Sequence, residues 1–179
     1  LTITRYQTFQ DLYQYCYKVA SVVGLICLEI FGYTDPKAKM YAIDMGIAMQ
    51  LTNIIRDVKE DSTLGRIYIP QDEMEKYGCS TEDLISQKDT PAFRALMAKQ
   101  VTRAKSYFAQ STGLLPLVPF RSRMCPSVLR SLYMALLDRI EARDYDVLRE
   151  RVGLTGQEKL TLMTTSWLGA FWKSLVRKW

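Results

Sequence analysis

Apolar and polar positions recur along this chain with the period of a helix almost throughout. Phe9, Leu12, Tyr13, Cys16, Val19, Ala20, Val23, Cys27, Ile30 and Phe31 follow one another at helical spacing, which predicts a long amphipathic helix. Thr8, with Asp11 three residues on, supplies its N-cap, and Gly32 its stop. Asp35-Pro36 opens a second helix with Pro at the first position, expected to run on and end before Gly65. Gln71 to Tyr77, closed by Gly78, predicts a short helix, and Ser80-Thr81-Glu82-Asp83 caps another. Thr90-Pro91 starts a helix reaching about Gly113, and Leu114 to Pro119, with two prolines, is expected to be a loop. Further helices are expected from Pro126 to Arg143 and from Gln157 to Trp179. Alternating runs bounded by turn residues are almost absent. The expected class is therefore all-α, a helical bundle with short connections forming one domain over residues 1–179.

One polar stretch departs from an ordinary solvent face. Gln50, Asn53, Asp57 and Asp61 are spaced by three and four, and at about 100° per residue they share an arc of about 80°. Ile47, Leu51, Ile54 and Val58 fill the next arc. The oxygen-bearing stripe thus borders the buried side, as the wall of a cleft would. Asn and Asp oxygens are hard ligands suited to Mg²⁺ held together with substrate phosphates. Arg56 is close enough to reach a phosphate oxygen. A charged, solvated helix face is the ordinary alternative. Against it, the stripe residues cannot form Lys–Glu pairs with one another, and the segment runs into the basic, aromatic Gly65-Arg66-Ile67-Tyr68-Ile69-Pro70.

Composition narrows the chemistry. Apolar residues make up 48% of the chain, an ordinary globular share that argues against disorder. Histidine is absent, and Cys16, Cys27, Cys79 and Cys125 form no CxxC pair. A zinc site or a Ser/His or Cys/His nucleophile is thereby disfavoured, and buried free thiols in a reducing compartment fit better. The net charge of +5 suits phosphorylated substrates or an anionic membrane. No Lys/Arg run is interleaved with aromatics, so no nucleic-acid partner is expected. The longest apolar run, Val19 to Leu28, is shorter than the ~20 residues of a membrane span, and no secretory signal is visible. In the last helix, Leu168, Phe171, Trp172, Leu175 and Trp179 form an apolar stripe beside Lys173, Arg177 and Lys178. Packing on the bundle and interfacial membrane contact both explain it. The expected location is the cytoplasm, with peripheral contact to the inner membrane through this helix.

Three segments resemble the squalene/phytoene synthases. Tyr15-Cys16-Tyr17-Lys18-Val19-Ala20-Ser21-Val22-Val23-Gly24 looks like one family signature. Gln50 to Asp61, followed by Gly65 to Pro70, looks like a second, and Ile140-Glu141-Ala142-Arg143-Asp144-Tyr145-Asp146 is similar to a third. They occur in family order, and the likeness covers the chain from Tyr6 onward. It implies an all-α isoprenoid-synthase fold. It also implies a Mg²⁺-dependent prenyltransferase that joins two allylic prenyl diphosphates, farnesyl or geranylgeranyl, head to head. The route passes through a cyclopropylcarbinyl diphosphate toward squalene, dehydrosqualene or phytoene, in squalene- or carotenoid-type biosynthesis.

By the same resemblance Asn53 and Asp57 bind Mg²⁺ with support from Asp61, while Gln50 and Arg56 touch the diphosphate or substrate. Tyr15 and Tyr145 line the reaction centre, core packing being the alternative for each. Ala20 and Gly24 keep their helix thin where the prenyl chain passes, or serve helix–helix packing. Arg66 and Tyr68 close over the phosphates, or form a surface loop. An earlier aspartate-rich motif of the family has no counterpart upstream of Tyr15, where Asp11 is the one acidic residue. The chain is accordingly expected to be a C-terminal portion lacking the family's N-terminal helices, with little or no activity alone. A non-catalytic family relative acting as an assembly factor is the alternative from another class, but it has no need of the Asn/Asp/Arg stripe. A terpenoid cyclase fits the Tyr15–Gly24 signature less well. Substrate length stays open because it depends on cavity depth, which no motif shows, and dependence on NADPH stays open although no Gly-rich dinucleotide loop is visible.

Overall fold

The computed structural model describes residues 3–176, with side-chain surroundings through Ser166. The apolar stripe of Leu168, Phe171, Trp172, Leu175 and Trp179 lies outside the described side chains. Among the described residues the regular structure is helical, apart from one parallel bridge between Arg5 and Ile67.

The first helix is continuous over Phe9–Phe31 but changes pitch on the way. It comprises α1 (Phe9–Cys16), a π-helical segment (Tyr17–Ser21) and α2 (Val22–Phe31). Thr8 and Asp11 close a reciprocal capping box at its start. Gly32 ends it with φ +76°, a backbone state glycine reaches without strain. By length and composition this helix is long and apolar enough to cross a membrane. Leu12, Cys16, Ser21 and Leu28 are buried on the bundle, while Val23, Ile26 and Ile30 are exposed.

The central element is α3 (Ala38–Arg56), packed against α7 (Pro91–Gln110), the first helix and α9 (Met124–Ala142). Its Ile47, Ala48, Leu51, Ile54 and Ile55 are almost wholly buried. Two features differ from expectation. The helix starts at Ala38, because Asp35 Oδ1 accepts the Lys37 N–H at 2.7 Å and holds Asp35–Lys37 as a turn. It is also interrupted at Asp57 (φ −101°, ψ 14°), after which α4 (Val58–Thr63) resumes. The spacing survives the break, since the Asp61 N–H still donates to Asp57 O at 2.8 Å.

The remaining elements are α5 (Gln71–Tyr77), α6 (Thr81–Ile85), α8 (Leu114–Leu117) and α10 (Gly156–Val176). Leu114–Leu117 was expected as loop and is one helical turn, because Pro116 sits within the first turn, where no N–H is needed. Pro126 likewise lies in the first turn of α9, which begins at Met124. The carboxylate of Glu158 pairs with Arg139 and ties α10 to α9.

Candidate active site

Small residues on two packed helices leave a groove. A Cβ built on Gly46 would fall 2.7 Å from Ser21 Cα and 2.8 Å from Ser21 N, so only glycine permits this approach. Ser21, fully buried, donates its hydroxyl to Ile43 O at 2.9 Å and fixes the crossing. Beside it lies a cavity of about 230 Å³. Ala42, Met45, Gly46 and Met49 of α3 form one wall, and Val19, Ala20, Val23, Gly24 and Cys27 of the first helix the other. Leu114, Val118, Cys125, Pro126 and Leu129 close it. Both Ala20 and Gly24 thus face this groove. A Cβ on Gly24 would sit 3.4 Å from Ala42 O, so close packing and an open groove are served together.

The same face of α3 then turns polar. Asn53, Arg56 and Asp57 continue the stripe of Ala42, Gly46 and Met49 at helical spacing. With a rise of 1.5 Å per residue, Asn53 lies about 6 Å beyond Met49 along the axis. Asn53 Nδ2 donates to Gln50 Oε1 at 3.5 Å. Asp57 sits between two arginines. Arg56 donates Nε to Oδ1 at 2.8 Å and Nη2 to Oδ2 at 2.5 Å, and Arg151 donates Nε to Oδ1 at 2.8 Å. Burial works to raise the Asp57 pKa, but the two guanidinium groups outweigh it and hold the carboxyl below its usual range. Asp61 is the opposite case. Burial, then the charge of Asp57, push its carboxyl up against the pull of Arg66. Asp61, Arg66 and Tyr68 line a second, small cavity with Ile54 and Val58.

Tyr15 belongs to an aromatic cluster. Its ring stacks on Tyr68 at 5.2 Å and lies 5.4 Å from Tyr6, which stacks on Tyr68 at 5.8 Å. Burial, then the Tyr68 hydroxyl, push the Tyr15 phenol well above its ordinary range. Burial first, then Tyr68, push Tyr6 up to about 12. These phenols stay protonated at neutral pH and offer donors. Tyr145 is elsewhere. It follows Asp144 in a left-handed pair (φ 52° and 61°) at the end of α9, beside Glu141 and Lys105, and lines neither cavity. The structure does not group it with Tyr15.

The stripe suits a divalent cation only as part of a larger ligand set. Among the described residues no three Cys, Asp or Glu converge. Two carboxylates and one amide are present, and Asp61 repels Asp57. Mg²⁺ is commonly held by one or two carboxylates plus substrate phosphate oxygens, and a repelling, partly buried pair is relieved by a cation. The residues fit such an ion.

Three contributors escape a reading of the sequence. Arg151 reaches Asp57 across 94 positions, and its one signal is its place five residues beyond the Ile140–Asp146 segment. Gly46 extends a four-residue spacing of small residues, Ala38-Ala42-Gly46, which is a legible sign of close helix packing. Tyr6 precedes the first helix and carries no pattern at all.

The family model for squalene/phytoene synthase matches residues 1–158. The chain belongs to the squalene/phytoene synthase family. Phytoene synthase 1 of Arabidopsis thaliana is 40% identical over 167 residues, covering 89% of this chain and 39% of the relative. The 15-cis-phytoene synthase of Synechococcus elongatus is 38% identical over 178 residues, covering 93% of this chain and 58% of the relative. Among solved structures, a dehydrosqualene synthase in complex with ligand superposes with TM-score 0.81 at 27% identity, over 99% of this chain and 60% of the other. The squalene synthase HpnC from Alicyclobacillus acidocaldarius gives 0.77 at 31% identity, over 80% and 55%. The all-α isoprenoid-synthase fold is therefore common to this squalene/phytoene synthase chain and its structural neighbours. The chain spans about half the length of the curated relatives it matches.

Proposed function

We propose that this chain holds prenyl diphosphates and supplies one side of the site for their Mg²⁺-dependent head-to-head condensation. The observation that carries this reading is the continuity of one face of α3, from the apolar wall at Ala42, Gly46 and Met49 to the polar cluster at Asn53, Arg56 and Asp57. A ligand with a long apolar tail and an anionic head matches that order of surfaces. Identity of 38–40% to phytoene synthases supports two geranylgeranyl diphosphates as the substrates to test first.

In this reading the groove takes the prenyl chain and excludes water from it. Arg56 and Arg66 neutralise the diphosphate as it departs, which lowers the barrier to ionisation. Gln50 orients the Asn53 amide, leaving Oδ1 for an ion. Asn53, Asp57 and Asp61 would hold Mg²⁺, which supplies further charge stabilisation for the leaving diphosphate. The protonated phenol of Tyr15, with Tyr68 beside it, donates a hydrogen bond or turns its ring toward developing positive charge. The double bond of the second substrate then attacks the allylic cation, and loss of a proton from the carbon that carried the departed diphosphate closes the three-membered ring of a cyclopropylcarbinyl diphosphate. Tyr145, partly buried against the core at the end of α9, is the second phenol of the proposed reaction centre. Residues 1–179 alone are expected to turn over little or no substrate. Peripheral membrane contact through the last helix is part of the same proposal.

Binding of geranylgeranyl thiodiphosphate to the full-length protein tests this reading. Mg²⁺-dependent binding that Asp57→Asn removes while the circular dichroism is retained supports it. No binding by a folded wild-type protein favours a non-catalytic assembly role. Product analysis with C15 and C20 diphosphates, with and without NADPH, distinguishes phytoene from squalene-type products.

A further inference from the structure

Arg151 stands near two carboxylates in unlike states. Its Nε is 2.8 Å from Asp57 Oδ1, an oxygen that Arg56 Nε already holds at 2.8 Å, while Arg56 Nη2 takes Oδ2 at 2.5 Å. Both oxygens of Asp57 are thus engaged by guanidinium groups. Glu60, three residues on, has a buried Oε2 with no hydrogen-bond partner among the described residues. The Glu60 charge acts on Arg151 and on Asp61. A buried carboxylate oxygen without a partner is uncommon and costly.

The two arginines holding Asp57 are not equivalent. Arg56 is the last residue of α3, and its side chain is 21% exposed. Arg151 is 56% exposed and lies on the connection between α9 and α10. That connection is anchored separately, by Lys59 Nζ donating to Arg149 O at 2.7 Å. Arg151 is thus the more exposed of the two arginines, on a backbone held at Arg149. A divalent cation needs a lone pair on Asp57, and the guanidinium groups take two on Oδ1 and one on Oδ2.

We infer that Arg151 is a movable guard on Asp57, covering the carboxylate while diphosphate is absent and shifting toward Glu60 when diphosphate and cation arrive. The inference rests on the reading of Asp57 as a cation ligand. A bare cation competes with Arg151 for Oδ1. A diphosphate adds anionic charge that competes with Asp57 for the guanidinium, so that Arg151 moves off toward Glu60 and frees Asp57 for the ion. Loading is thus ordered, with the anion arriving before the cation or together with it. Arg151 is a positioning residue, acting through Asp57.

Mn²⁺ binding to the full-length protein, followed by electron paramagnetic resonance with and without inorganic pyrophosphate, tests this. Arg151→Gln is expected to tighten binding of Mn²⁺ alone by about 1.5- to fivefold, the range expected from losing a competing, partly exposed ion pair. The same variant should lose most of the enhancement that pyrophosphate gives, and Arg151→Lys should fall between. Glu60→Gln should leave Mn²⁺ alone unchanged and reduce the pyrophosphate enhancement. Unchanged or weaker Mn²⁺ binding in Arg151→Gln, with binding lost in Asp57→Asn, overturns the guard alone. Weaker binding of Mn²⁺ alone in Glu60→Gln makes Glu60 a ligand and also overturns it. Wild-type Mn²⁺ affinity in Asp57→Asn removes the underlying ligand reading instead.

Discussion

The two ends of α3 are built by different physics. Toward the N-terminus, Ala42, Gly46 and Met49 shape the groove by size alone, and Gly46 permits an approach to Ser21 that a single Cβ would block. Toward the C-terminus, Asn53, Arg56 and Asp57 shape a polar site by charge, with Arg151 brought in from 94 residues away. The first end is packed and unforgiving of volume. The second is half-exposed and tolerant of shape, but dependent on which oxygens are ionised. One helix presents an apolar wall and a polar head in a fixed order, and the difference between them separates effects on stability from effects on chemistry.

If the polar end carries the chemistry, Asp57→Asn has the largest effect. Turnover of the full-length protein should fall by at least about 10²–10³-fold, the range for removing one electrostatic contact from a transition state. Its melting temperature should move little, since the lost ion pairs are partly exposed. Gly46→Val should show the reverse pattern, with the fold suffering first. The added side chain meets Ser21 backbone at under 3 Å, so destabilisation of about 1–3 kcal/mol or more is expected. That is a drop in melting temperature of roughly 2–12 °C for a chain of this size. Persistent activity in the first variant, or an unchanged melt in the second, breaks the contrast.

Ala20→Leu tests the groove more gently. It adds three carbons to a wall of the cavity and should shift preference from C20 toward C15 substrates by about tenfold or more, as judged from kcat/KM ratios. Equal loss for both lengths would mean general damage instead of a shorter groove.

The smallest effect carries the most diagnostic sign. The Asp61 carboxyl is raised in the folded state, so its ionisation destabilises the fold as pH rises from the unfolded pKa of about 3.9 through the folded one. Asp61→Asn should therefore stabilise the ligand-free protein at pH 7, by under about 1 kcal/mol after solvent screening. The gain should vanish below the ordinary carboxylate pKa, where the wild-type group is protonated in both states. Cation binding should weaken in the same variant, a trade of function against stability. Thermal melts across pH 3–8 check the sign.

How far the sequence reached follows the same division. Helical periodicity, the Thr8 and Ser80 capping boxes and the Gly32 and Gly78 stops are local signals, and the corresponding elements formed. Ala20 and Gly24 were legible because small residues at that spacing mark a close crossing or a groove, and here they mark both. The π-helical turn at Tyr17–Ser21 and the break at Asp57 were not legible, since each is a backbone response to tertiary packing. Arg151 and Tyr6 were missed for a related reason: their partners lie far away in sequence, and neither residue type has a pattern of its own. Tyr145 was placed by resemblance alone, and its left-handed backbone sets it beside Glu141, apart from the Tyr6–Tyr15–Tyr68 cluster.

The central claim is that apolar groove and polar head form one site along α3. Equilibrium binding of thiodiphosphates of C5, C10, C15 and C20 length to the full-length protein, at saturating and at zero Mg²⁺, tests it most directly. Affinity should rise with each added prenyl unit until the groove is filled, and Mg²⁺ should strengthen binding by the same factor at every length. Affinity that ignores chain length, or Mg²⁺ enhancement that appears at one length alone, would contradict a shared site.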